Sequence, residues 1–489
     1  MLKYLHSRVL ISFCLFIGLL VFWSFSSPIG SGVDTDYHLV STWCANGPRE
    51  DICVNPRVGE SPGYSGKMAT VPYMFQMCDD RNIYFWPNCE IEQTHPEFQE
   101  LRMAIPSNLS AYYRIMNVFA SSDVIRSVLA IRIMNSLIAG IVFLMGMIFC
   151  TKRVKFALLA AVTFSIIPTG IQQLSGVNPR SWAMLGVMTS WAFLYSFLST
   201  PREQKLTRRF QLASFIFTVL LAFFSRLDAS VMVIITSLFV LIGYRANSNH
   251  TSKRKVLSFS VLIGSTILIL RSFSRTSPWL SLDIPAEYSK LQYFVFSVIH
   301  IPEFVTDWWS YRVGQQGNGP GIVGIIGLSL FVISMALALQ KSDLRQRIIA
   351  SSFSITIFAL LARSTLSTGS LVPLPGAYTH GLVAPWLGLV IVFSKSKLQL
   401  MSTLGNRRIV ILLLSFAHAI SFYSWMEFFT KRGKGVGIYD NLSLNGTWWW
   451  DTWVSPNVVF IAGAALFPIF LTLAWRSIPL ELEESPELR

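Results

Sequence analysis

Charged side chains are scarce in this chain: 13% of its 489 residues, against 52% hydrophobic. An ordinary soluble domain carries about 25% charged residues, so a water-facing surface on all sides is excluded. Acids are scarcer than bases, 26 against 40, which gives a net charge of +14. Nucleic acid is not the expected partner. The basic residues sit in short clusters between hydrophobic runs, as the positive-inside rule requires of a membrane protein. Cysteine is also sparse, six in all, and no two have the C-x2-4-C spacing of a structural zinc site. No internal repeat is evident, which argues against the repeat architecture of many transporters.

What the chain has in quantity is long apolar runs. They predict spans at about 9–25, 129–150, 156–174, 182–198, 212–224, 231–244, 256–270, 322–339, 348–361, 382–393, 409–429 and 458–475. The expected fold class is an all-α polytopic membrane protein with about 12 transmembrane helices. Residues 26–28 make a poor cleavage site, so 1–25 reads as a retained anchor. An extracytoplasmic loop follows over 26–128, then helices 2–7 over 129–271. A second extracytoplasmic segment covers 272–321, helices 8–12 cover 322–476, and 477–489 form a tail. Within 272–321 the apolar piece 293–305 is broken by His300, Pro302 and Glu303 and reads as interfacial or re-entrant. Twelve spans put each basic cluster, from Lys152 and Arg153 to Arg476, on the cytoplasmic side with both termini. The expected location is a bacterial cytoplasmic membrane.

Four cysteines, Cys44, Cys53, Cys78 and Cys89, fall in the first loop. An even number in one loop predicts two disulfides in an oxidising compartment. Pairing of neighbours, Cys44 with Cys53 and Cys78 with Cys89, is the simplest of three connectivities. The same loop opens with P-I-G-S-G-V-D-T-D-Y-H. It places Asp34, Asp36 and His38 within five residues, beside a membrane surface where carboxylates are costly to desolvate. Locally, Asp34 would cap a short helix with Asp36 in its first turn, ended by Asn46-Gly47. Val33, Tyr37, Val40 and Cys44 would then form an apolar stripe lying on the membrane. The sharper reading makes one carboxylate a general base facing a lipid-linked substrate. Asp34 and His38, four apart, also have the spacing to share a metal, although no metal is expected.

Further polar residues are expected on the same side: Asn178, Arg180, Arg226, Asp228, Arg271, Arg363, His380 and Asp451. Arginines there suit a phosphate, which they hold by paired hydrogen bonds. Each has a plainer reading. Asn178-Pro179 fits a helix start. Arg226 and Asp228, two apart, would not face each other on a helix. Arg271 and Arg363 near span ends would snorkel. Trp448, Trp449, Trp450 and Trp453 fit an aromatic belt better than a sugar platform.

An N-terminal span, a large first loop opening on an acidic motif and many further spans resemble the GT-C superfamily of membrane glycosyltransferases. A closer resemblance is to a large set of bacterial multi-spanning proteins with a Pro…Asp-Glu-x-x-His pattern after the first span. V-D-T-D-Y-H aligns Asp34 and His38 with that pattern. G-V-N-P-R-S-W at 176–182 is similar to their N-P-x-x-W-A segment, and S-R-L-D at 225–228 to their R-x-D segment. Thr35 departs from it where a glutamate is usual, with Asp36 the substitute acid. P-G-A-Y-T-H-G-L-V-A-P also lacks their Arg-Tyr. The resemblance implies transfer of a sugar from a polyprenyl-phosphate donor to a glycan, lipid or protein acceptor. Asp34 and Asp36 would be its catalytic pair. No cofactor is expected, and a divalent metal stays open. The alternative is a transporter or flippase of a lipid-linked envelope component.

Overall fold

The computed structural model describes residues 2–29, 31, 35–61, 64–72, 98–103, 111–247, 292, 295, 299, 308–309, 312–313, 317–318, 321–340, 342, 344–368, 380–394, 403–430, 441–443, 448–450 and 454–478. Its transmembrane part is all-α. Among the described residues eight helices are long and apolar enough to cross a membrane. The chain is therefore a polytopic integral membrane protein. The expected span 256–270 lies outside the described residues, as does 293–305 apart from Val295 and Ile299.

The first nine helices are α1 (Leu2–Phe25), α2 (Thr35–Trp43), α3 (Ala111–Met116), α4 (Val124–Phe149), α5 (Lys152–Ser165), α6 (Thr169–Leu174), α7 (Arg180–Ser199), α8 (Lys205–Ser225) and α9 (Leu227–Asn247). Helices Gly321–Gln340, Leu344–Thr368, Val383–Phe393, Leu404–Thr430 and Pro456–Arg476 follow. α7 is the centre: its apolar window is wholly buried, against α8, α9, α4, α5 and Val383–Phe393. A helix apolar all round must be enclosed on all sides. α1 packs between α4 and Pro456–Arg476.

α8 shows how such a sequence folds in lipid. Its small and polar residues, Gln211, Ser214, Thr218, Ala222 and Ser225, recur at helical spacing and are buried. Phe210, Ile216, Phe217, Leu220, Phe223 and Phe224 are exposed. A soluble helix has the reverse pattern. Where lipid tails are as apolar as leucine, association comes from close approach of small residues and from interhelical hydrogen bonds. Gln211 supplies such bonds, donating to the Phe149 carbonyl at 2.8 Å and to Thr200 Oγ1 at 2.9 Å. Gly186 of α7 supplies the close approach. A Cβ there would stand 2.5 Å from the Thr218 carbonyl oxygen and 2.8 Å from the Ala222 Cβ.

The span expected at 156–174 is not continuous. α5 stops at Ser165 and α6 starts at Thr169. Pro168 lies between them, follows a cis peptide bond and has no N–H with which to continue the ladder. The first loop also departs from expectation. It contains an antiparallel sheet in the order β1 (Val54–Ser61), β2 (Tyr64–Pro72), β3 (Phe98–Met103). Glu60 pairs with Ser65, and Lys67 with Met103. Ala69 and Val71 of β2 are buried, and α2 packs on β2, β3 and α3. The apolar stripe of α2 is thus covered by protein, not membrane: Val40 and Cys44 are buried. Val33 lies outside the described residues. One further short hairpin, β4 (Arg312–Val313) with β5 (Gly317–Asn318), lies in the second loop.

Candidate functional site

One group of polar residues lies at the end of the bundle where α1 ends and where α4, α7 and α9 begin. Three of the sequence-derived candidates meet in one cleft there. α8 ends at Ser225, and Arg226 has extended backbone, φ −152° and ψ 141°. Because Arg226 has left the helix, its side chain can turn along the chain to Asp228 in the first turn of α9. Arg226 Nε donates to Asp228 Oδ1 at 3.0 Å, and its Nη2 donates to Oδ2 at 3.1 Å. This is a two-pronged pair of the strong kind. The helical-spacing objection fails because the break in the helix falls between α8 and α9. Asp228 Oδ1 also accepts the Ala229 N–H at 2.9 Å, so the carboxylate caps the start of α9.

Arg180 enters the cleft from α7. The turn before it is built by Asn178, whose Oδ1 accepts the Arg180 N–H at 2.9 Å. Its carbonyl accepts the Ser181 N–H at 2.9 Å. Pro179, already helical at φ −52°, supplies the pre-set start. Asn178 is therefore occupied in starting α7. The buried Arg180 guanidinium is close enough to Asp228 to interact with it electrostatically. Gln173, Ala183, Met184, Val187, Met232 and Gly381 complete the lining. The cleft measures about 310 Å³ with its open mouth included. Two guanidiniums against one carboxylate leave one net positive charge, reinforced by the N-termini of α7 and α9.

His380 is buried in the 3-10 turn His380–Leu382 with its ring against Gly170 of α6. It stands next to Gly381 of the lining. Arg363 lies in the helix Leu344–Thr368, five residues before its end; its side chain, like that of Asp36, lies outside the described residues. Asp34, Arg271, Asp451, Cys78 and Cys89 also fall outside them. α2 starts directly after Asp34, with Asp36 its second residue. The described disulfide joins Cys44 to Cys53, nine residues apart, just beyond α2. Gly47, at φ +96°, turns the chain there.

His38 faces inward. Its Nδ1 is 2.7 Å from the Tyr113 hydroxyl, tying α2 to α3. The neighbouring Tyr112 leads on to the cleft. Asn135 of α4 donates to the Tyr112 hydroxyl at 3.0 Å and to the Gly176 carbonyl at 2.6 Å. The Trp182 indole of α7 donates to Asn135 Oδ1 at 3.0 Å. One amide thus joins α3, α4, the turn before Arg180 and α7. Burial pushes the Tyr112 phenol well above its ordinary range, partly offset by its bonds to Asn135 and Ser181. It stays protonated. Asn117 closes the other end of α2, donating to the Thr42 and Trp43 carbonyls at 2.8 and 2.9 Å.

The tryptophans correct the sequence reading. Trp449 and Trp450 are buried, and the Trp450 indole donates to the Phe25 carbonyl at 2.7 Å. They are neither a membrane belt nor an open sugar platform. Trp309 of the second loop does the same for α5, donating to the Phe164 carbonyl at 2.8 Å. Asn117 and Asn135 were missed from sequence because a lone asparagine carries no spacing signal. Arg132 was missed although its signal was there, a charge inside an apolar run. Among the described residues no three of His, Cys, Asp and Glu converge as a metal site would need.

No curated protein and no solved structure matches this chain. A family model does, over residues 15–305, more than half of the length. That stretch holds the latter part of α1, the acidic-motif loop, Asn135, Arg180 and the Arg226–Asp228 pair. By this match the chain belongs to the family described as predicted membrane protein (DUF2142).

Proposed function

We propose that this protein is an extracytoplasmic membrane glycosyltransferase that takes a sugar from a polyprenyl-phosphate carrier. The acceptor is a cell-envelope glycan, lipid or protein. The observation that carries the reading is the cleft holding Arg180, Arg226 and Asp228 at the same bundle end as the start of α2. A net positive, partly water-excluded pocket suits a phosphate leaving group. The basic residues at the opposite end support placing this end outside the cytoplasm.

In the proposed reaction an acceptor hydroxyl attacks the anomeric carbon of the donor sugar. The bond from that carbon to the carrier phosphate breaks, and the phosphate departs with the electron pair. The hydroxyl proton passes to Asp34, with Asp36 as the second acid. Arg180 and Arg226 stabilise the charge developing on the phosphate, and Asp228 keeps Arg226 aimed. Carrier phosphate is a good leaving group, so positioning and charge stabilisation supply most of the rate.

The broken helix α5–α6 beside the cleft gives some support to the transporter reading, since transporters build sites on discontinuous helices. One experiment separates the two. Envelope glycans and carrier-linked sugars are measured in a deletion strain carrying wild-type, Asp34→Asn, Asp36→Asn or Arg226→Met protein at matched membrane levels. The transferase reading expects a glycan residue to be lost, the charged carrier to accumulate, and Asp34→Asn and Arg226→Met to fail to restore the residue. Full restoration by both variants would sink it. Accumulation of the complete product on the wrong side of the membrane would favour transport.

A further inference from the structure

The end of α1 is held by side chains from far along the chain. A helix leaves its last four carbonyls without intrahelical partners. Here Arg132, buried in α4, supplies one of them and also holds two carbonyls of the segment just beyond the helix. Its Nη1 donates to the Ser24 carbonyl at 2.7 Å and to the Ser27 carbonyl at 2.8 Å. Its Nη2 donates to the Pro28 carbonyl at 2.8 Å and lies 3.4 Å from Ser31 Oγ. The carbonyl of Phe25, the last residue of α1, takes the Trp450 indole, and the Trp450 ring lies 5.6 Å from the guanidinium carbon. Among the described residues no carboxylate forms an ion pair with Arg132. Carbonyl dipoles and one aromatic face balance its charge.

A charge placed inside a span is costly and marks a functional position by default. A hydroxyl or amide would cap one carbonyl more cheaply. What a planar guanidinium adds is a fixed fork that grips three carbonyls together and so sets the direction in which the chain leaves the helix. The chain it releases runs through Ser31 to the acidic motif, and α2 begins at Thr35. We propose that Arg132 is the positioning residue of the first loop. It fixes the exit of α1 and thereby the point from which Asp34 and Asp36 are presented. Its catalytic consequence rests on the proposed sugar transfer; its mechanical one does not.

The test uses the full-length protein in lipid nanodiscs, comparing wild type with Arg132→Met, Arg132→Lys and Trp450→Phe. Amide hydrogen exchange is read over peptides covering 24–43, α7 and Pro456–Arg476. Arg132→Met should speed exchange over 24–31, where the Ser26 and Ser31 amides are hydrogen-bonded to Trp23 and Pro28, by about tenfold or more. α7 and Pro456–Arg476 should be unchanged. Lysine should fail to restore protection, lacking the fork. Trp450→Phe keeps the guanidinium and should loosen 24–31 less. Unchanged exchange in Arg132→Met, or an equal rise in all three regions, overturns the proposal. In the transfer assay kcat should fall on the order of 100-fold with KM little altered, the effect of misplacing a reacting group by about an ångström. Local loosening with undiminished kcat overturns the catalytic consequence. If wild type transfers no sugar, the functional reading fails, and the exchange pattern alone decides the positioning role.

Discussion

Replacing Asn135 with alanine tests whether one amide holds the site together. The side chain makes three bonds: to the Tyr112 hydroxyl, to the Gly176 carbonyl and from the Trp182 indole. Leaving a buried polar group without a partner costs about 1–3 kcal/mol in soluble proteins. Interhelical bonds in membranes measure lower, averaging about 0.6 and reaching about 1.7 kcal/mol, because the unfolded chain finds other partners. Three such bonds place the loss for Asn135→Ala at about 2–5 kcal/mol. Ser415→Ala is the control: Ser415 Oγ bonds only the Ile411 carbonyl of its own helix and should cost below about 0.5 kcal/mol. The assay is the unfolding free energy in mixed micelles under graded denaturing detergent. An Asn135→Ala loss equal to that of the control would refute the account of Asn135 as the joint of four elements.

A double-mutant cycle of Arg226→Met and Asp228→Asn should give a coupling of about 1–2 kcal/mol, since the pair is bidentate and its side chains are only 22% and 18% exposed. A coupling below about 0.3 kcal/mol would mean the pair is ornamental. Gly186→Leu should part α7 from α8 and cost about 1–3 kcal/mol or more, seen as a lower unfolding midpoint, because its Cβ meets backbone that cannot swing away. Reducing Cys44–Cys53, which closes a loop nine residues apart, should destabilise the first loop by about 3 kcal/mol. The signature is faster proteolysis between α2 and β1 with the transmembrane helices intact.

The sequence determined the class and the place of several spans. Apolar runs of membrane length and basic clusters between them needed no tertiary information, because each helix satisfies its own backbone in lipid. The expected span at 182–198 emerges as α7 at Arg180–Ser199, and that at 458–475 as the helix Pro456–Arg476. The S-R-L-D segment was likewise legible, since it puts polar residues where polarity is expensive. Tertiary structure decided the rest. Whether Arg226 faces Asp228 depended on one residue leaving the helix, a difference of backbone angle invisible to spacing. That Trp450 would end against Phe25, 425 positions away, followed from which helices pack together, not from its neighbours. The direction of α2's apolar stripe depended on a sheet assembled from three segments up to about fifty residues apart. Local chemistry fixes what each segment can be; only packing selects which unpaired carbonyl, charge or indole will meet which.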